Sequence, residues 1–101
     1  MIRNAIIIDA GDNIATVLRD IAAGGEVVAG SGEETVVLAA AEAIPFGHKV
    51  AVRAIAKGDE ILKYGAVIGA ATADIARGAH VHVHNVVSLR GRGDLEIHKE
   101  G

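Results

Sequence analysis

Hydrophobic and polar positions along this chain alternate in short runs, and glycine or an acidic turn former breaks nearly every run. Ile2 to Ile8 reads as a first strand, and its Ile6-Ile7-Ile8 run suggests burial on both faces. Asp9 to Asn13 is dense in turn formers, and Ile14 to Leu18 alternates again as a second strand that makes a hairpin with the first. Further on, Val50-Ala51-Val52 and Ile61-Leu62 read as strands, and Tyr64 to Gly69 as a turn followed by a short strand. The stretch from Ser31 to Ala43 carries two signals. Ser31-Gly32-Glu33-Glu34 fits a capping box and Leu38 to Ala43 favours helix, but Thr35-Val36-Val37 is β-branched. The β-branched run decides for a strand over Thr35 to Leu38, followed by a short turn or a single helical turn.

One pattern recurs four times: an isoleucine, a glycine three residues later, and a β-branched apolar residue three beyond that. The copies are Ile21-Gly24-Val27, Ile44-Gly47-Val50, Ile55-Gly58-Ile61 and Ile75-Gly78-Val81. Successive copies lie 23, 11 and 20 residues apart, too irregular for a solenoid. The physical reading is a corner. A buried isoleucine anchors it, glycine supplies a positive φ in a tight turn, and a new strand starts. Many short strands joined by such turns predict an all-β barrel or sandwich-like domain.

The fourth corner runs into Ala79-His80-Val81-His82-Val83-His84-Asn85, where three of the five histidines alternate with valine. A strand has a side-chain period of two, so the imidazoles would line one face while Val81 and Val83 enter the core. Neutral imidazole is the commonest metal ligand in proteins. In an extended strand, however, His80 and His84 lie about 13 Å apart, too far to share an ion. At most two of the three can do so, and the other ligands must come from elsewhere. His48 is a candidate, since it follows its corner glycine much as His80 follows its own. The plain alternative is a solvent-facing strand that happens to use histidine. His98 reads as a surface residue, and Lys49 and Lys63 as exposed lysines able to meet a carboxylate. Asn85 is a turn residue or a ligand-orienting amide.

Composition narrows the class. The chain has 101 residues, half of them apolar, with Phe46 and Tyr64 as its aromatic residues, so the core is aliphatic. There is no cysteine, which excludes disulfides and thiolate metal sites. The net charge of −3 gives no footprint for nucleic acid or a membrane surface. No apolar run approaches the roughly 20 residues of a membrane span, and the N-terminus lacks a signal-peptide layout. A soluble, cytoplasmic protein is the expectation. No phosphate loop, G-x-S-x-G or H-E-x-x-H motif is present. After Val87 the sequence turns polar and glycine-rich, so residues 1–88 are read as one domain and 89–101 as a flexible tail. Arg92-Gly93-Asp94 in that tail spells an adhesion tripeptide by coincidence.

Ile44-Pro45-Phe46-Gly47-His48-Lys49-Val50-Ala51 through Ile55-Ala56-Lys57-Gly58, Lys63 to Gly69, and Gly78-Ala79-His80-Val81-His82-Val83-His84-Asn85-Val86 resemble the SAF-type N-terminal domain of altronate and galactarate dehydratases. The resemblance implies a compact β-clip fold and a role in sugar-acid dehydration, as the small subunit of an altronate dehydratase-like hydro-lyase. That enzyme removes a proton α to a carboxylate and expels the β-hydroxyl as water. The resemblance further implies a large catalytic subunit as partner, a sugar-acid substrate, and a divalent metal, iron or manganese. His48, His82 and His84 become the expected catalytic residues, and His82, His84 and His80 the expected metal ligands. No turnover is expected from the chain alone. Sulfolactate sulfo-lyase has a similar small subunit, so a sulfo-lyase subunit is one alternative. Another, from a different class, is a non-catalytic carbohydrate-binding or interaction module. A homo-oligomer pairing through strand edges is a third.

Overall fold

The corners organise the fold. In the computed structural model, which describes residues 2–32 and 34–88, the four corner glycines all hold positive φ, 81° at Gly24, 80° at Gly47, 90° at Gly58 and 88° at Gly78. Each is the third residue of a turn in which the residue after glycine donates its amide to the residue after isoleucine. These bonds run from Gly25 to Ala22, His48 to Pro45, Asp59 to Ala56 and Ala79 to Ala76, at 2.8–3.0 Å. That is the hydrogen bond of a type II turn, which needs glycine at its third position. All eight anchoring residues, Ile21, Ile44, Ile55, Ile75, Val27, Val50, Ile61 and Val81, are buried. Burying one such side chain stabilises by about 1.5–3 kcal/mol.

The corners interlock in pairs. Ile21 and Ile44 exchange both backbone bonds at 2.9 and 2.8 Å, and Ile55 and Ile75 do the same at 2.8 and 2.7 Å. In each pair, the residue four before one isoleucine meets the turn of the other corner. Ala40 pairs with Gly24 and Gly25, Val17 with Gly47 and His48, Ala71 with Gly58 and Asp59, and Ala51 with Gly78 and Ala79. An aspartate just before an isoleucine completes one corner of each pair. The Phe46 amide donates to Asp20 and the Lys57 amide to Asp74, both at 2.8 Å.

Among the described residues nine short strands result: β1 (Ala5–Ile6), β2 (Ile14–Val17), β3 (Glu26–Ser31), β4 (Glu34–Ala39), β5 (Lys49–Ala51), β6 (Glu60–Lys63), β7 (Ala66–Ala71), β8 (His80–Val81) and β9 (Val86–Ser88). They form a six-stranded sheet, β4-β3-β1-β2-β5-β8, and a three-stranded sheet, β6-β7-β9. Among these strands β1 and β3 pair in parallel and the other pairs are antiparallel. Among the described residues there is no helix, so the fold is all-β as expected. The capping-box reading fails, because Ser31 and Glu34 face each other at the end of the β3–β4 hairpin. Two aliphatic clusters fill the interior. The first corner pair contributes Ile21, Val27, Ile44 and Val50 to one, and the second contributes Ile55, Ile61, Ile75 and Val81 to the other.

The β1–β2 hairpin forms, with Ala5 opposite Val17. The Ile6-Ile7-Ile8 run is not buried on both faces. Ile7 is buried while Ile6 and Ile8 are exposed, because β1 is short and only one of its faces meets the core. The turn-rich Asp9–Asn13 segment proves to be a tether. Buried Asp12 accepts the Tyr64 and Gly65 amides at 2.8 Å each, and buried Asn13 bonds the backbone of Glu60 and Leu62 at 2.8 Å. These contacts fix the β6–β7 hairpin, whose tip residues Tyr64 and Gly65 both hold positive φ. The expected flexible tail, with His98 and Arg92-Gly93-Asp94, lies outside the described residues.

Candidate active site

Two corners deliver the histidines. The second corner places His48 immediately before β5, and the fourth places His80 at the start of β8. These strands pair antiparallel, with Val50 opposite His80, so residue 48 stands on the same face two positions along.

The predicted strand through His84 stops early. After Val81 the chain must cross from the six-stranded sheet to β9 in the three-stranded one, and it does so in the turn His82–Asn85. Val81 is therefore 2% exposed but Val83, expected in the core, is 81% exposed. Asn85 closes the turn. Its Oδ1 accepts the His82 amide at 2.9 Å, its Nδ2 donates to the His80 carbonyl at 2.8 Å, and its own amide donates to the His82 carbonyl at 3.1 Å.

Three imidazoles converge as a result. The His48 and His82 rings stack with centroids 4.1 Å apart, and those of His48 and His80 lie 5.0 Å apart. His48 Nδ1 and His80 Nε2 are 2.7 Å apart, so one carries the proton and the other accepts it. One ligand atom from each of His48, His80 and His82 lies within 4.8 Å of the others. Two nitrogens on one ion are at most about 4.2 Å apart, twice a 2.1 Å bond, so the three rings would have to close up slightly to share one. His84 is outside this group. It is exposed, and its ring stands 5.1 Å from that of His80.

The electrostatics favour neutral rings. Burial, then the charges of His48 and His84, push the His80 pKa down against an opposing pull from Glu42, and His82 adds to the lowering. His82 is lowered by desolvation first, then by His48, Lys49 and His84. Neutral imidazoles keep a lone pair free for a metal or a proton.

Spacing in the sequence did not reveal two neighbours of this cluster. Glu42 Oε2 accepts the His80 amide at 3.2 Å. Beside His82 opens a cleft of about 410 Å³, lined mainly by Ile61, Ile68, Val81, Val83, Val86 and Val87, with Lys49 and His82 as its polar side chains besides Ser88. Lys49 is thus half-buried, not the exposed strand lysine expected, and burial and nearby Lys63 lower its pKa. No described helix is long and apolar enough to cross a membrane.

Comparison with known proteins identifies the family. The chain is 49% identical over 78 residues to altronate dehydratase of Escherichia coli, a match covering 77% of the chain and 15% of that enzyme. It is 42% identical over 74 residues to altronate dehydratase of Bacillus subtilis, covering 73% of the chain and 14% of that enzyme. It is 34% identical over 88 residues to the (2R)-sulfolactate sulfo-lyase subunit alpha of Chromohalobacter salexigens, covering 84% of the chain and 94% of that subunit. The profile of the altronate/galactarate dehydratase SAF domain matches residues 3–89, and the chain belongs to that family.

Proposed function

We propose that this domain serves as the small subunit of a sugar-acid dehydratase, an altronate dehydratase-like hydro-lyase, and supplies histidines to an active site that a large catalytic subunit completes. The observation that carries this reading is the convergence of His48, His80 and His82 beside an open cleft, with His84 at the margin. Dehydration needs the α-proton removed and the β-hydroxyl expelled. Imidazole is the side chain that most often performs such a proton transfer, and exposed His84 and half-buried His82 are the groups placed for it. Lys49, in the cleft beside His82, is placed to orient a carboxylate.

The all-imidazole donor set of His48, His80 and His82 fits a divalent iron ion, and a manganese ion would need oxygen ligands from elsewhere to complete its shell. Such an ion, when bound, supplies Lewis acidity toward a carboxylate and its neighbouring hydroxyl. His48 Nδ1 and His80 Nε2 could both face such an ion only with the proton between them moved to the far nitrogen of its ring.

The match spans only 15% of the E. coli altronate dehydratase, and on this reading the large subunit supplies the rest of the active site. A second reading, the small subunit of a sulfo-lyase, draws on the 94% coverage of the sulfolactate sulfo-lyase subunit alpha. One experiment separates the readings: co-purify the chain with its large partner, strip metal, and supply Fe²⁺ or Mn²⁺ with altronate, galactarate or sulfolactate. The dehydratase reading expects a 2-keto-3-deoxy acid only when both chains and metal are present. Sulfite release favours the second reading. Sugar-acid binding by this chain alone, with no turnover and no metal requirement in the mixture, refutes both and leaves a carbohydrate-binding module.

A further inference from the structure

We infer that Asn85 is a positioning residue whose carboxamide sets the geometry of the histidine cluster. The inference rests on reading His48, His80 and His82 as one working site. Continued as a strand, the chain would carry His84 about 13 Å beyond His80 along a straight line. Instead the His80 and His84 ring centroids lie 5.1 Å apart, and those of His80 and His82 5.6 Å apart. Asn85 holds this tighter path at both ends of the His80–His82 step. It donates to the carbonyl of one and accepts the amide of the other, at 2.8 and 2.9 Å.

Its backbone is anchored as well. The Asn85 amide donates to the His82 carbonyl at 3.1 Å, and the Asn85 carbonyl accepts the Thr72 amide at 2.9 Å beside the fourth corner. Among the described residues, the rings of His80 and His82 take no hydrogen bond from any side chain except that between His80 and His48. Beyond their stacking on one another and on His48, their placement follows the backbone that Asn85 clamps. The task needs a donor and an acceptor on one short side chain. Aspartate lacks the donor, leucine lacks both, and glutamine is a methylene too long. A constellation held by such supports loses geometry when they go, even though no ligand atom is touched.

The test compares Asn85→Asp and Asn85→Leu with the wild-type chain by two readouts. Long-range ¹H–¹⁵N spectra of the imidazole nitrogens report the His48–His80 hydrogen bond without metal, and Co²⁺ titration followed by visible absorption reports the cluster as a ligand set. Asn85→Leu is expected to lose the ring-nitrogen signature and to bind Co²⁺ about tenfold or more weakly, while backbone amide signals of the first and third corners stay in place. Asn85→Asp, which keeps the acceptor, is expected to fall between. Wild-type ring signals and Co²⁺ affinity in Asn85→Asp and in any folded Asn85→Leu overturn the inference. If the wild-type chain takes up no Co²⁺, the metal reading fails, and the ring-nitrogen spectra alone decide the role of Asn85.

Discussion

Gly78 and Gly47 offer a paired test of the corner account. Both hold nearly the same positive φ, 88° and 80°, so alanine at either pays the same left-handed strain, about 1–2 kcal/mol. Alanine also restricts the unfolded chain at both sites, which offsets about 0.4–1 kcal/mol. The surroundings differ. A Cβ on Gly47 meets nothing within 4 Å. A Cβ on buried Gly78 runs into the Ala39 carbonyl oxygen and crowds the Ala41 amide at 3.2 Å, where Ala41 donates to the Gly78 carbonyl at 2.8 Å. Overpacking of this kind adds about 1–3 kcal/mol. For a domain of this size, 1 kcal/mol shifts Tm by about 4–8 °C, so Gly78→Ala should melt roughly 4–24 °C below Gly47→Ala. Thermal unfolding followed by circular dichroism measures the difference directly. Equal losses in the two variants would refute the argument that the fourth corner is packed against the β4 end while the second stands open.

Other outcomes follow from the tether and the imidazoles. Asp12→Ala removes the carboxylate that accepts the Tyr64 and Gly65 amides, two part-buried bonds to a charged group worth at most about 1.5–3 kcal/mol each. It should lower Tm and speed hydrogen exchange at the β6–β7 hairpin tip before the corners; uniform exchange across the domain would contradict the tether. The pKa of His80 and that of His82 are lowered on folding, so the unfolded chain takes up protons first as pH falls below the ordinary histidine value of about 6.5. Stability should be full above that value and decline below it, and His80→Gln should flatten the decline between pH 7 and 5; a Tm that rises on acidification in this window would reverse the sign. If the cluster binds a divalent ion, free metal at 100 times Kd should stabilise the domain by about 2.7 kcal/mol, and chelation should remove that gain. A Tm indifferent to metal and chelator would speak against the ligand set.

Much of the fold was legible because each corner combines an anchor, a positive φ and a buried β-branched residue at fixed spacing, and local chemistry alone demands that combination. His48 could be linked to His80 by the same logic, since both follow corner glycines. The end of β8 at Val81 was not legible. Alternating His and Val satisfy strand propensity through His84, and only the need to reach β9 breaks the run. Asp12 and Asn13 were read as turn formers because their partners lie about fifty positions away, Tyr64 being 52 residues from Asp12. The half-burial of Lys49 likewise depends on Ile61, Ile68 and Val86 arriving from the other sheet.

The central claim is that His48, His80 and His82 act together in a lyase site shared with a larger chain. Its most direct test is turnover and bound metal in the reconstituted enzyme carrying His48→Gln and His82→Gln, separately and together. The account predicts that each single variant loses most of the activity and metal while still co-purifying with the large chain, and that the double variant loses little more than either single one. Full activity and full metal content in the double variant would contradict it.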